Sequence, residues 1–261
     1  MSEVRKLQYF VNGKWGDSAA ADYMDIHDPS TGEVIAQTPC CTAEEVNDAI
    51  SAASSAFPAW SSTPVMKRVQ VLYKFRELLM QNLEELTYLV AREHGKVWSE
   101  AEGDILKVKE PVEFACGVPG MMMGESLMDT STGYDTVLYR EPVGVYAGIV
   151  PFNFPGMIPM GWMAPLCIAA GNTLVIKASL ATPMTAMRLA ELWQQAGLPD
   201  GVLNVLTCGN DEAELLLSHS DVKGVSFVGS TAVGRHIYAT AAANGKRVQA
   251  LCGAKNHGLV L

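Results

Sequence analysis

The chain has 261 residues, 49% of them apolar and 18% charged, with a formal net charge of -9. That composition suits one large or two ordinary globular domains and excludes a disordered chain. The acidic balance, without any run of basic residues, argues against nucleic acid or an anionic membrane as partner and leaves a small molecule as the expected ligand.

Along the chain, the first signal is YFVNGKWG at 9–16, where an Asn-Gly dipeptide between short apolar runs predicts a hairpin. From Thr42 the pattern turns helical, with Glu45 placed three residues on for a capping box. A longer helix is predicted over 65–92, where Val69, Leu72, Phe75, Leu79, Leu83, Leu86 and Val90 form one apolar stripe and Gly95 is the stop. Another helix over about 96–115 leads into GVPGMMMG, whose methionines suit core or domain-contact packing. After Gly133 come strand signals, YDTVLYREP and GVYAGIV. Helices and strands then alternate: a helix over 156–169, TLVIK, a helix ending at Gly197, VLNVLT, DEAELLLSHS, GVSFVGS, TAVGRHIYATAAANG and RVQAL. Such alternation predicts βαβ units around a doubly wound parallel sheet, an α/β fold. The terminal HGLVL reads as a strand in progress.

The six cysteines lack CxxC spacing, which predicts neither a zinc site nor a disulfide framework and suits a reducing compartment. The amino terminus has no apolar signal region. The most apolar stretch, 157–170, is interrupted by Pro159 and Pro165 and is too short to cross a bilayer, so a cytoplasmic protein is expected.

Four places can carry chemistry. In SFVGSTAVGR, Gly229 and Gly234 bracket a helix start after a strand. Such a turn offers backbone N–H groups and the positive helix end to a phosphate, with Ser230 as a further donor. It matches neither GxGxxG nor the Walker pattern, so an ordinary βα turn is the competing reading. In PFNFP at 151–155, the Asn153 amide at a strand end could donate to a developing oxyanion, or could serve its own turn. Lys177 closes TLVIK and would face a ligand crevice unless it is a plain surface lysine. LCGAKNH at 251–257 has small residues that permit close backbone approach, although Cys252 and His257 could be packed side chains.

In order and spacing these segments resemble the aldehyde dehydrogenase superfamily over nearly the whole chain. PFNFP is similar to its oxyanion motif, KAS at 177–179 to its cofactor lysine motif, and FVGS to its phosphate turn. AEGD at 101–104, GNT at 171–173 and KRVQALCGAKNH narrow the resemblance to the methylmalonate-semialdehyde dehydrogenase group. The resemblance implies a Rossmann-like NAD-binding core over 145–255. An N-terminal hairpin and helical part over 1–125 and an oligomerisation strand segment over 126–144 would precede it, and a catalytic domain would begin at 256–261 and lie mostly beyond Leu261. It also implies that Asn153 stabilises the oxyanion, that Lys177 holds the adenosine ribose and Ser230, beside Gly229, the pyrophosphate, and that Val150, Phe152 and Cys252 line the cofactor. An aldehyde substrate, coenzyme A as acyl acceptor and a homo-oligomer complete the expectation.

Three departures qualify it. Leu251 stands where most of the superfamily has a Glu that activates water, which favours acyl transfer to coenzyme A over hydrolysis. Leu180 replaces a Glu that contacts the ribose. Lys107 stands in place of an Arg that would hold a substrate carboxylate, keeping the charge but losing the bidentate fork. The nucleophilic Cys of the resemblance is expected after Leu261, since none of the six cysteines has its context. A hydrolytic dehydrogenase, or a non-catalytic NAD-binding protein, remains the alternative. NAD is expected over NADP, because no added Arg stands near Lys177 to pair with a 2′-phosphate.

Overall fold

In the computed structural model, residues 4–253 and 258–260 are described. The elements in chain order are β1 (Tyr9–Val11), β2 (Lys14–Gly16), β3 (Tyr23–His27), β4 (Val34–Pro39), α1 (Ala43–Ser61), α2 (Val65–Gln81), α3 (Leu83–His94), α4 (Trp98–Ala115) and α5 (Val118–Met121). They continue with β5 (Glu125–Ser131), β6 (Tyr134–Leu138), β7 (Val145–Ile149), a π-helix (Met157–Met163) running into α6 (Ala164–Ala169), β8 (Thr173–Lys177) and α7 (Met184–Gln195). The last are β9 (Leu203–Leu206), α8 (Asn210–Ser218), β10 (Val222–Gly229), α9 (Thr231–Ala243) and β11 (Arg247–Cys252).

Local chemistry explains most of these boundaries. Asn12 and Gly13 have φ of 52° and 70°, the left-handed pair a two-residue hairpin turn requires, and they join β1 to β2. At α1 the capping box forms: the Glu45 amide donates to Thr42 Oγ1 at 3.3 Å and Glu45 Oε2 accepts the Thr42 amide at 2.8 Å. Reciprocal capping of this kind stabilises a helix start by about 1 kcal/mol. Gly95, at φ 81°, ends α3 in the left-handed conformation.

The single helix predicted over 65–92 is instead two, α2 and α3, broken at Asn82 (φ -106°, ψ 17°). There the Asn82 side chain donates to the Leu78 carbonyl at 2.7 Å, while its own carbonyl accepts from Leu86. The apolar stripe crosses the break unharmed because both helices pack on the same core. Of the methionine run, Met122 packs against that core, whereas Met121 and Met123 are exposed. Gly258 to Val260 are in no strand, contrary to the reading of HGLVL; His257 and Leu261 lie outside the described residues.

The main sheet has the order β11-β10-β7-β8-β9-β1-β2. Its first five strands are parallel, and the N-terminal hairpin adds an antiparallel edge through Phe10 opposite Val205. The central strands β7, β8 and β9 are buried on both faces, as parallel strands inside a sheet are. Leu174 and Ile176 of β8 join a core with α2, α4, α6 and α7, where Phe75 and Trp193 stack at 4.0 Å. Val175 faces the other way, into a core with α1, α8 and α9. No described helix is long and apolar enough to cross a membrane. Among the described residues no cluster of His, Cys, Asp and Glu could hold a metal ion.

One buried carboxylate ties two helices together. Glu93, at the end of α3, accepts the amides of Met184 and Thr185 at 2.7 and 2.9 Å and so caps α7. Burial pushes its carboxyl up to about 7, against the opposing pull of the hydrogen bonds from Thr185 and Met184 and with a further push from Asp104. With a folded pKa above the unfolded value, the resulting stability is complete below the unfolded range and is lost as pH rises through about 7. Asp104 is raised in the same direction by burial, so the Glu93 contribution is read by difference. The melting temperature of the wild-type chain relative to Glu93→Gln is expected to drop by a few °C between pH 5 and pH 8. A wild-type advantage that grows over that range contradicts this account.

Candidate active site

The chain lays down β7, β8 and β9 in one direction, then crosses back and places β10 and β11 on the other side of β7. The strand order therefore reverses between β7 and β10, and the connections leaving these two strands diverge. A crevice at the carboxyl ends of parallel strands follows, the usual ligand position in open α/β sheets. Register fixes what stands there. Ile149 pairs with Lys177, and Gly229 with Cys252.

Lys177 ends β8 on the face that carries α8 and α9, by the strand alternation that turns Val175 the same way. Its ammonium pKa is lowered by burial, an effect offset in part by Cys208 and Cys40. Among the described residues nothing accepts a hydrogen bond from it. It lies in a cavity of about 420 Å³ walled by Ile149, Ala213, Leu217, Val233 and Ile237. At the mouth, His236 Nε2 on α9 meets Glu214 Oε1 on α8 at 2.6 Å.

Gly229 is the last residue of β10, and Ser230 caps α9, its Oγ accepting the Val233 amide at 3.4 Å. With that bond made, the hydroxyl proton is still available, and the first amides of the helix have no intrahelical acceptor. A ligand anion at the cavity rim would meet both. Gly234 serves packing: a Cβ there would collide with Cys252 Sγ, so a side chain at this position would force the sulfur or the helix to shift. The same contact places the Cys252 sulfur against the helix.

Asn153 stands in the loop after β7. Val150 is buried and its amide donates to the Lys177 carbonyl at 3.3 Å; the Phe152 carbonyl accepts from Thr182 Oγ1 at 2.9 Å, while the Phe152 ring is 58% exposed. Asn153 itself is exposed, and among the described residues its side chain makes no hydrogen bond, as a residue serving its own turn would. Lys107 is on α4, outside the cavity, and its exposed ammonium is closed on Glu110 Oε2 at 2.8 Å. The structure thus brings Val150, Phe152, Asn153 and Lys177 to one strand edge, with Gly229 and Ser230 across the switch, and leaves Lys107 apart.

The cavity walls Asn210, Ala213, Glu214, His236 and Ile237 were absent from the sequence reading; they belong to amphipathic helices in which no residue type marks a ligand. A larger cavity of about 670 Å³ lies between the N-terminal segment, α3 and α7, lined by none of Val150, Asn153, Lys177 and Ser230. Its Arg188 is already paired with Glu85 and Glu191 at 2.9 and 2.8 Å. Five cysteines are held towards the neutral thiol: burial pushes Cys41, Cys167 and Cys208 up to about 12 and raises Cys40 and Cys116 as well.

Residues 15–261 match the aldehyde dehydrogenase family. Malonate-semialdehyde dehydrogenase 1 of Geobacillus thermodenitrificans is 51% identical over 258 residues, which is 99% of this chain and 53% of that protein. Among solved structures, a Sinorhizobium meliloti 1021 protein assigned as a methylmalonate-semialdehyde dehydrogenase and complexed with NAD superposes with a TM-score of 0.95 at 42% identity, covering 98% of this chain and 52% of that one. The methylmalonate-semialdehyde dehydrogenase of Oceanimonas doudoroffii gives 0.94 at 43% identity, over 97% and 52%. The chain spans about half the length of the curated relatives it matches. With the parallel sheet, the switch-point crevice and these matches together, the chain belongs to the aldehyde dehydrogenase family.

Proposed function

We propose that this chain forms the NAD-binding half of a CoA-acylating malonate- or methylmalonate-semialdehyde dehydrogenase. The observation that carries the reading is the β7–β8 register, Ile149 opposite Lys177, which puts the Asn153 loop beside a half-buried ammonium at the mouth of a cavity of about 420 Å³. The cavity suits an adenosine: apolar walls for a base, Lys177 for a ribose hydroxyl, and the start of α9 with Ser230 for a pyrophosphate. NAD bound there would supply the hydride acceptor for aldehyde oxidation. Preference for NAD over NADP is expected because, among the described residues, no Arg lines the cavity beside Lys177.

The residues of this chain then have distinct tasks. Asn153 donates its amide N–H to the aldehyde oxygen as negative charge develops on it, and the surrounding loop keeps that donor pointed outward. Leu251, at the end of β11, is apolar and shares a surface groove with Trp162, Leu166 and Val228, and among the described residues no carboxylate lines it. A thioester formed by the whole enzyme therefore meets no water-activating base from this position, which favours transfer to coenzyme A. The exposed β5–β6 ribbon, with Leu127, Met128, Tyr134 and Val137 in solvent, is the surface we assign to contact between copies. Lys107 meets a substrate carboxylate only after Glu110 releases it.

The nucleophile is assigned outside these 261 residues. Purified chain assayed with malonate semialdehyde, NAD and coenzyme A is expected to form no NADH. Turnover that disappears in Cys252→Ser would place the nucleophile here after all. Joined to the C-terminal half of the Geobacillus relative, the chain is expected to turn over, and Asn153→Ala in that fusion to lower kcat about 10²–10³-fold with NAD affinity little changed. Equal losses in both would assign Asn153 to holding the turn.

A further inference from the structure

The Asn153 loop has little of its own to hold it. Pro151 and Pro155 bring no N–H, its other residues except Asn153 are aromatic, and its link to the following helix is the Ile158 amide donating to the Phe154 carbonyl at 3.3 Å. What holds it comes from the end of α3 and the start of α4. His94 lies against the Phe152 ring with centroids 6.3 Å apart at 25°. Thr182, which ties down the Phe152 carbonyl, sits two residues before the α7 amide that Glu93 caps. On the other side of Asn153, the Lys96 ammonium lies 3.8 Å from the centroid of the Phe154 ring and 3.1 Å from Asp104 Oδ2. The second oxygen of Asp104 accepts the Met157 amide at 2.8 Å, where the π-helix begins.

The Lys96 and Asp104 side chains are only 9% and 0% exposed. Such a pair is a poor device for stability alone, because desolvating two charges offsets most of their attraction and an apolar pair of similar volume does as well. What an apolar pair could not do is accept the Met157 N–H and place a cation over Phe154 at once. These two contacts fasten the backbone immediately after Asn153, while Thr182 and His94 fasten it immediately before.

We propose that Lys96 and Asp104 are positioning residues for Asn153: a buried ion pair that clamps the loop and leaves the asparagine amide as its one unfastened polar side chain. An oxyanion donor has to sit within about 0.5 Å of its working position, which a loop with so few hydrogen bonds of its own reaches through such support. The proposal rests on reading Asn153 as that donor.

The test uses this chain, with amide hydrogen exchange and NMR of the Asn153 side-chain amide, assigned by its loss in Asn153→Asp. Lys96→Met strands the Asp104 charge and risks unfolding, so Lys96→Met/Asp104→Asn, which removes both charges, is measured beside it. In the folded variants, amides over 152–158 are expected to exchange at least about tenfold faster through local opening, with α3 and α7 unchanged. The Asn153 amide signals should move towards values for free asparagine, NAD affinity should stay within about twofold, and Lys96→Arg should restore slow exchange. Unchanged exchange and unchanged Asn153 signals in the double variant would overturn the proposal, as would acceleration spread evenly over the chain, which would make the pair a general support. Failure of the donor reading itself shows elsewhere, as an Asn153→Ala fusion with undiminished kcat.

Discussion

The arrangement depends on one constraint, the reversal of strand order beside β7. Parallel strands need crossovers, and right-handed crossovers that first run to β9 and then return past β7 must leave the ends of β7 and β10 with nothing above them. Everything assigned to ligand contact hangs from that edge. Lys177 arrives by pairing with Ile149, Ser230 by ending β10, and Asn153 by leaving β7 into a loop that has to be held from outside.

The supports are paid for in buried charge. Glu93, Lys96 and Asp104 all sit within the region beneath the loop and α7, where each carboxyl has its pKa raised by burial. Every one of them is engaged with a backbone amide, an ammonium or an aromatic ring, as buried charge must be. By contrast Lys177 and Asn153, at the ligand side, have no partner among the described residues. Groups satisfied within the protein build the frame; the groups left unsatisfied are those we propose for ligand contact.

Much of this was legible in the sequence where a residue type has one strong conformational meaning. Asn12-Gly13 located the hairpin, Thr42 and Glu45 the start of α1, Gly95 the end of α3, and the alternation after Val145 the parallel sheet. Asn82 was not legible as a break, because the apolar stripe runs through it and both helices share one core. The hairpin was readable, but its addition to the edge of the main sheet beside β9 was not, since a three-residue strand has no partner written into it. At the site, Asn153, Lys177 and Ser230 stand out as polar groups at strand ends. Asp104 was visible only within AEGD, and Glu93 and Lys96 only as ordinary charges flanking a helix stop, since their roles arise from contacts with residues 53 to 92 positions away.

The central claim is that the switch-point crevice binds NAD with the adenosine between α8 and α9 and the pyrophosphate at the start of α9. A crystal structure of this chain soaked with NAD tests it most directly. The account requires adenosine density in the cavity beside Lys177, its ribose within hydrogen-bond distance of Nζ and the pyrophosphate against Ser230. NAD bound instead in the cavity between the N-terminal segment, α3 and α7 would contradict it, as would no NAD at the strand ends at saturating concentration.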